Sequence, residues 1–147
     1  MAKKSPANEA GRVVEHVLAA VLQGIGLQFA QQVRIGPNIY GHASRVDFVI
    51  DNLAAFPDGL IVESKWQDRF GTVDEKFPYL LENIQQCYPL PTIIVVAGGG
   101  AKPGAVGWLR SHCDGLKLVA VYSLEGFISW ALRSEKRSHD CPCPAAE

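Results

Sequence analysis

The segment Thr92–Ala97, with the sequence Thr-Ile-Ile-Val-Val-Ala, constrains the fold more than any other stretch of the chain. An almost continuous apolar run of this length, bounded by turn residues, is typical of a β-strand buried on both faces. Such a strand lies inside a sheet that is covered by helices on both sides. The rest of the chain must therefore supply those helices and the neighbouring strands.

Hydrophobic periodicity and turn residues predict helices and strands in a definite order. Helices are predicted at residues 8–23, 73–87, 103–112 and 124–133, and strands at 29–35, 44–50, 59–66, 92–97 and 116–122. Three successive strands favour an antiparallel meander, and the later alternation of strand and helix favours parallel pairing. The prediction is an α/β fold: one domain over residues 8–133, with a mixed central β-sheet flanked by helices.

The two ends of the chain limit its organisation. Residues 134–147 are charged and then rich in Pro and Cys, which predicts a disordered tail. Cys141 and Cys143 are separated by one residue rather than by the wider spacing of zinc ligands, so no structural metal site is predicted there.

The start of the chain lacks the apolar core of a signal peptide, and no apolar run approaches the ~20 residues of a membrane span. We expect a cytoplasmic protein with no membrane partner.

The balance of positive and negative residues bears on whether the protein binds a nucleic acid. The 147 residues include 14 Lys and Arg against 15 Asp and Glu, for a net charge of −1. Binding to a nucleic acid usually needs Lys and Arg against the phosphates, so this balance counts mildly against a nucleic-acid partner. A basic face can still exist on a neutral protein if the acids lie elsewhere.

Charged residues in a predicted central strand are the first chemical signal. In Leu-Ile-Val-Glu-Ser-Lys-Trp-Gln, the period of two places Glu63, Lys65 and Gln67 on one face. An ionised group in such a strand is costly unless it is paired or binds something. Asp47 lies in the preceding predicted strand. If the two strands are neighbours, Asp47 lies beside Glu63.

Two adjacent carboxylates repel each other, and a hard divalent cation removes that repulsion. Mg²⁺ commonly takes one or two carboxylates and keeps water and phosphate oxygens as its other ligands. Such an ion makes bound water more acidic and polarises a phosphoryl group. Lys65 can position or deprotonate that water, or neutralise charge that develops on the phosphate. Asp47, Glu63 and Lys65 together therefore predict a phosphodiesterase site.

These residues resemble the signature of the PD-(D/E)XK superfamily, the restriction-endonuclease-like nucleases. Asp47 is followed sixteen residues later by Glu63-Ser64-Lys65, although Val46 stands where the signature has Pro. The predicted order over residues 8–97 also matches the αβββαβ core of that superfamily. The resemblance implies hydrolysis of DNA with Mg²⁺, for which Mn²⁺ can substitute.

The resemblance also implies roles for further residues. Many members carry a glutamate on the first helix that completes the metal site, and Glu15 is the matching residue. The backbone carbonyl of Ser64 is implied as another ligand, and Gln67 resembles a glutamine found in resolvase-like branches. The predicted metal ligands are then Asp47, Glu63, Glu15 and Ser64, and the predicted catalytic residues are Asp47, Glu63, Lys65 and Gln67. An ion pair between Glu63 and Lys65 on a half-exposed strand is the plain alternative.

Three functions remain open at this point. The first is a Mg²⁺-dependent endonuclease that cuts double-stranded or branched DNA, as a homodimer or higher homo-oligomer if both strands are cut. The second is a catalytically inactive DNA-binding or assembly subunit with the same fold. The third is a nucleotide-binding protein that uses the loop 98–104, which follows a predicted strand and opens a helix but lacks the spacing of the known phosphate-binding loops.

Overall fold

The computed structural model of the chain describes residues 6–67 and 73–137. Among these residues no helix is both long and apolar enough to cross a membrane. The elements that the described residues form, in chain order, are α1 (Pro6–Ile25), β1 (Phe29–Pro37), β2 (Ala43–Ile50), β3 (Leu60–Trp66), α2 (Val73–Gln86), β4 (Thr92–Ala97), α3 (Pro103–Ser111), β5 (Leu118–Tyr122) and α4 (Leu124–Arg133).

The strands of the described residues form one five-stranded sheet in the order β1-β2-β3-β4-β5. The pairs β1–β2 and β2–β3 are antiparallel, and the pairs β3–β4 and β4–β5 are parallel. This topology confirms the predicted meander followed by parallel pairing. It also makes β2 and β3 neighbours, which the prediction that Asp47 lies beside Glu63 requires.

Helices cover both faces of the sheet. Helices α1 and α4 pack with one apolar cluster, which contains Leu18, Phe48 and Phe127. Helices α2 and α3 pack with a second cluster on the other face, which contains Phe77 and Leu109. Strand β4 contributes alternate residues to the two clusters, so its apolar run is indeed that of a strand buried on both faces.

Pro78 lies inside α2 and not at its start. We expected this proline to begin or kink the helix. It does not begin it, because α2 begins at Val73 and continues to Gln86. Proline in a helix removes one backbone hydrogen bond. The side chains of Phe77, Leu80, Leu81 and Ile84 are buried along the same helix, and this burial offsets the loss.

The segment after α4 is paired for a few residues beyond the predicted domain boundary. The backbone NH of Ala54 donates to the carbonyl of Glu135 at 2.9 Å, and that of Arg137 donates to the carbonyl of Asn52 at 2.8 Å. Lys136 forms an antiparallel bridge with Leu53. Residues 135–137 thus form hydrogen bonds with backbone groups of the loop after β2. No sequence pattern predicts this pairing. Residues 138–147, including Cys141 and Cys143, lie outside the described residues.

Truncating a buried core leucine should destabilise the protein far more than truncating an exposed one. Leu18 is fully buried on α1, whereas Leu132 on α4 is 64% exposed. We expect Leu18→Ala to lower the free energy of unfolding by about 2–5 kcal/mol, because it removes buried methyl groups and leaves a cavity. Leu132→Ala should change it by less than about 0.5 kcal/mol. Urea denaturation of both variants measures the difference, and equal losses would contradict this description of the core.

Candidate active site

In both β1 and β2, the side chains switch from one face of the sheet to the other at one position. The candidate site begins there. Gln32 has a positive φ of 51°, alone among the non-glycine residues that the structure describes, and the register places it opposite Asp47. Phe48 packs into the cluster beneath α1, yet Val46, two residues away, packs into the cluster beneath α2. A regular strand would keep these two side chains on one face. Asp47 therefore lies at a local irregularity of the sheet.

The carboxylate of Asp47 fills the gap where β2 and β3 separate. Within the described residues the paired positions of these strands run from Ile50 and Leu60 to Phe48 and Val62, and they stop there. Beyond that point the Asp47 Oδ2 atom accepts hydrogen bonds from the backbone NH of Ser64 at 2.8 Å and from its hydroxyl at 3.2 Å. The side chain thus replaces a missing ladder partner, and β3 fixes its orientation.

Glu15 of α1 reaches the same position from one side of the sheet. The amide Nε2 of Gln32 donates to Glu15 Oε2 at 3.4 Å and to Asp47 Oδ1 at 3.5 Å. Burial, the negative charge of Asp47 and a hydrogen bond between the two carboxyl groups raise the pKa of Glu15. The structure therefore brings Glu15 and Asp47 together, and the role of Glu15 as a metal ligand stays a prediction.

Glu63 and Lys65 lie on the face of the sheet that α2 covers. Glu63 is only 4% exposed, and its Oε2 atom lies 3.6 Å from the Lys65 ammonium. The hydroxyl of Tyr88 donates to Glu63 Oε1 at 3.4 Å. Burial, followed by the charge of Asp47, raises the pKa of Glu63 to about 7, although Lys65 and a backbone hydrogen bond from Asp47 act in the opposite direction.

Burial and the adjacent Glu63 carboxyl also raise the pKa of the Tyr88 phenol. Tyr88 therefore stays protonated and remains a hydrogen-bond donor to Glu63. Sequence reasoning missed both Tyr88 and Gln32. Tyr88 follows α2 in a turn and carries no motif. Gln32 is set apart only by its left-handed backbone, which a β-strand pattern does not reveal.

Two cavities lie beside these residues. One, of about 280 Å³, contains Glu63 and Lys65 and is also lined by the cations Arg45 and Lys76. The other, of about 240 Å³, is lined by Glu15 together with Arg12, His16, Gln31 and Gln32. Asp47 interacts with both groups of residues: it accepts a hydrogen bond from Gln32, and its charge raises the pKa of Glu15 in one group and of Glu63 in the other.

Gln67 lies at the end of β3, against the glycine-rich loop and the start of α2. Its Nε2 atom donates to the carbonyl of Gly100 at 3.1 Å, and its Oε1 atom accepts from the backbone NH of Asp74 at 3.1 Å. Strand β3 ends at Trp66, so the period of two no longer applies to the next residue. The structure places Gln67 where it holds the glycine-rich loop against α2, and its catalytic role stays a prediction.

The glycine-rich loop packs against the end of β3. A Cβ atom at Gly98 would lie 2.3 Å from the carbonyl oxygen of Gln67, and the φ of Gly98 is +95°, so only glycine fits there. The NH of Gly100 donates to that same carbonyl, and the NH of Lys102 donates to Asp74. These donors are used within the protein, which argues against a nucleotide phosphate as their partner.

The donor set suits a hard cation in part. Glu15, Asp47 and Glu63 offer carboxylate oxygens, and their mutual repulsion is the electrostatic condition that a divalent cation relieves. Across residues 6–67 and 73–137, no group of three or more His, Cys, Asp or Glu side chains is arranged so that it could hold a metal ion. A cation held by one or two of these carboxylates, with water and phosphate oxygens as its other ligands, fits the arrangement.

The domain has an αβββαβ core, with Asp47 where the sheet opens and with Glu63 and Lys65 on the next strand. These features define a restriction-endonuclease-like domain. The family model described as a PD-(D/E)XK nuclease superfamily domain matches residues 6–135. The chain therefore belongs to the PD-(D/E)XK superfamily, whose members are generally nucleases that hydrolyse phosphodiester bonds. No curated protein and no solved structure matched the chain.

The raised pKa of Glu63 should make stability depend on pH. Between the ordinary pKa of 4.5 and about 7, the folded protein keeps a proton that the unfolded chain releases. Stability therefore falls as pH rises through this window, by at most about 3 kcal/mol from this group. In Glu63→Gln this contribution is absent. We expect the variant to gain stability relative to the wild type between pH 5 and pH 8, as measured by urea denaturation in EDTA.

Glu125→Gln is the matched control, because Glu125 is an exposed glutamate of α4 on the other face of the sheet from Glu63. Its stability relative to the wild type should stay constant over the same pH range. A Glu63→Gln difference that is equally constant would show that the burial of Glu63 imposes no such cost.

Proposed function

We propose that the protein is a Mg²⁺-dependent DNA endonuclease, in which Mn²⁺ can replace Mg²⁺. The observation that carries the proposal is the arrangement where β2 and β3 separate, inside a domain of the PD-(D/E)XK superfamily. Ser64 holds the Asp47 carboxylate, the charge of Asp47 acts on Glu63, and Glu63 pairs with Lys65. Asp47, Glu63 and Lys65 supply two oxygen ligands and a cation, which are the groups that hydrolysis of a phosphodiester needs.

Each residue has a distinct task in this proposal. Asp47 and Glu63 would hold the ion, with the backbone carbonyl of Ser64 as a further ligand, while Glu15 would add negative charge beside Asp47. A bound Mg²⁺ supplies Lewis acidity and lowers the pKa of coordinated water. Lys65 donates hydrogen bonds to the attacking water or to the phosphate oxygens, and its charge offsets the negative charge that develops on the phosphate.

The surroundings keep these groups in place. The two hydrogen bonds from Ser64 fix the Asp47 carboxylate, and Tyr88 fixes the Glu63 carboxyl. The ion pair with Glu63 orients Lys65, whose side chain is 32% exposed and lines the cavity. Arg45 and Lys76 line the same cavity, and their charges favour a phosphate there.

An inactive DNA-binding subunit with the same fold is the second candidate. The full set of Asp47, Glu63 and Lys65 argues against it, because a protein that only binds DNA has no need of two repelling carboxylates at the phosphate site. A homodimer or higher homo-oligomer remains part of the first proposal. A single domain of this size offers one site for the two strands of a duplex.

Removing Lys65 or the Asp47 carboxylate should abolish cleavage. We expect Lys65→Ala and Asp47→Asn to reduce metal-dependent nicking of supercoiled plasmid, and cleavage of branched DNA, by at least about 100-fold, because each removes a group that acts on the reacting phosphate. Nicking assays in Mg²⁺ and in EDTA measure this loss. Absence of Mg²⁺-dependent cleavage by the folded wild type on all of these DNAs would count against the proposed function.

Two substitutions at the opposite end of the sheet serve as controls. Asp58→Asn removes an exposed acid in the turn before β3, and Lys136→Ala removes an exposed lysine beside Leu53. Both should cleave within about twofold of the wild type, because they match the charge changes of the site variants without reaching the site. A similar loss in these controls would mean that charge alone explains the site variants.

Binding of the ion should be visible without catalysis. At pH 8, addition of Mg²⁺ should raise the unfolding temperature of the wild type, because an ion that binds only the folded state stabilises it by mass action. Asp47→Asn should lose most of this increase, and Asp58→Asn should keep it. Differential scanning calorimetry in Mg²⁺ and in EDTA measures the effect. An equal increase in both variants would argue against Asp47 as a ligand.

A further inference from the structure

Two exposed tyrosines stand beside the cavity that contains Glu63 and Lys65. Tyr40 lies at the tip of the β1–β2 hairpin and is 70% exposed, and Tyr79 lies on α2 and is 40% exposed. Their rings stack with centroids 5.5 Å apart and planes inclined by 18°. Tyr79 itself lines the cavity. The pair thus forms an aromatic surface that reaches from the candidate active site into solvent.

The hairpin tip is held in one conformation by Asn38. Its Oδ1 atom accepts from the NH of Tyr40 at 2.9 Å and from the NH of His42 at 3.1 Å. Its own NH donates to the carbonyl of His42 at 2.7 Å, and its side-chain amide donates to the hydroxyl of Tyr79 at 3.1 Å. An exposed tip with this many internal bonds presents Tyr40 in a fixed position.

Asn83 of α2 attaches the same tip to the body of the domain. This residue is buried, its Oδ1 atom accepts from the NH of Ile39 at 2.9 Å, and its Nδ2 atom donates to the carbonyl of Tyr79. The two tyrosines are therefore oriented before any ligand arrives. A surface of this kind loses little conformational entropy on binding.

Cations lie close to the aromatic pair. Arg45, Lys65 and Lys76 line the cavity together with Tyr79, and Arg45 and Lys76 are exposed. Proteins that bind single-stranded nucleic acids combine two features. Positive side chains contact the phosphate backbone, and aromatic rings next to them stack on the bases. A base in continuous duplex is stacked on its neighbours and must be unstacked before a protein ring can cover it.

We propose that Tyr40 and Tyr79 form a stacking platform for an unpaired nucleobase, next to the cavity in which Arg45, Lys65 and Lys76 receive the backbone phosphate. The preferred substrate of the protein is then single-stranded DNA, or branched DNA with an unpaired nucleotide next to the phosphate that is cut. This inference on substrate class rests on the proposed function. The stacking site itself is a binding property and can be measured without cleavage.

The decisive experiment measures binding to a base and to a backbone without bases. Fluorescence anisotropy in EDTA compares a fifteen-nucleotide oligothymidylate with an abasic oligomer of about the same length and charge. We expect the wild type to bind the oligothymidylate roughly 5- to 150-fold more tightly, the range that stacking of one base gives. Tyr40→Leu should lose most of this preference and keep the affinity for the abasic oligomer.

Tyr40→Phe is the matched variant, because it keeps the ring and removes only the hydroxyl. It should retain the preference of the wild type for bases. If Tyr40 only attaches the hairpin to α2, Tyr40→Leu will keep the preference unchanged, and that result overturns the proposal. Equal affinity of the wild type for the two oligomers, or no binding to either, overturns it as well.

A cleavage assay separates this inference from the proposed function. With Mg²⁺, the wild type should cut a duplex with a single-stranded arm faster than a continuous duplex of the same sequence, and Tyr40→Leu should lose this difference. Equal cutting of both DNAs, abolished in Lys65→Ala, would overturn the inference and leave the nuclease. Preference for bases without cleavage of any DNA would overturn the nuclease and leave the stacking site.

Discussion

The hydrogen bond from the Ser64 amide to the Asp47 carboxylate connects the fold to the site. A backbone NH that loses its ladder partner inside a protein must find another acceptor. Here β2 and β3 separate after Phe48 and Val62, and the Asp47 side chain supplies that acceptor at 2.8 Å. The same contact holds the sheet open and fixes a carboxylate in the opening.

The charges around the opening are not balanced by the protein itself. Lys65 lowers the pKa of both Glu15 and Glu63, yet both remain raised, because burial and the charge of Asp47 outweigh it. The raised pKa values of Glu15 and Glu63 mean that ionising these two groups reduces the stability of the folded protein. Such a cost is common where a site must bind a cation or a reacting group. The imbalance is therefore a property that the proposed ion would correct.

The sequence predicts regular elements well and irregular positions poorly. The bounds predicted for β4 and α4 agree with the structure residue for residue, since a buried strand and an amphipathic helix carry strong periodic signals. The position of Glu63 and Lys65 on one face follows from the period of two along β3. That rule fails for Gln67, because the strand ends one residue earlier and the side chain turns to Gly100.

The contacts that position the acidic residues of the site cannot be predicted from strand or helix periodicity. Gln32 reaches Glu15 and Asp47 only because its backbone is left-handed, a conformation that β-strand periodicity does not predict. Tyr88 approaches Glu63 through the turn after α2, and the direction of a turn depends on tertiary packing. Local sequence thus gives the acids and the lysine, while the groups that position them depend on how the elements pack.

The net charge of −1 is compatible with a nucleic-acid substrate because electrostatic attraction is local. At physiological ionic strength a charge acts over a distance of about 8 Å, so a phosphate in the cavity responds mainly to the groups that line it. Arg45, Lys65 and Lys76 line that cavity, and the ion pair with Glu63 takes up part of the charge of Lys65. Among the described residues these three cations alone would give a phosphate backbone limited affinity. In the binding mode proposed above, contacts of the bases with the stacked rings of Tyr40 and Tyr79 would add to it.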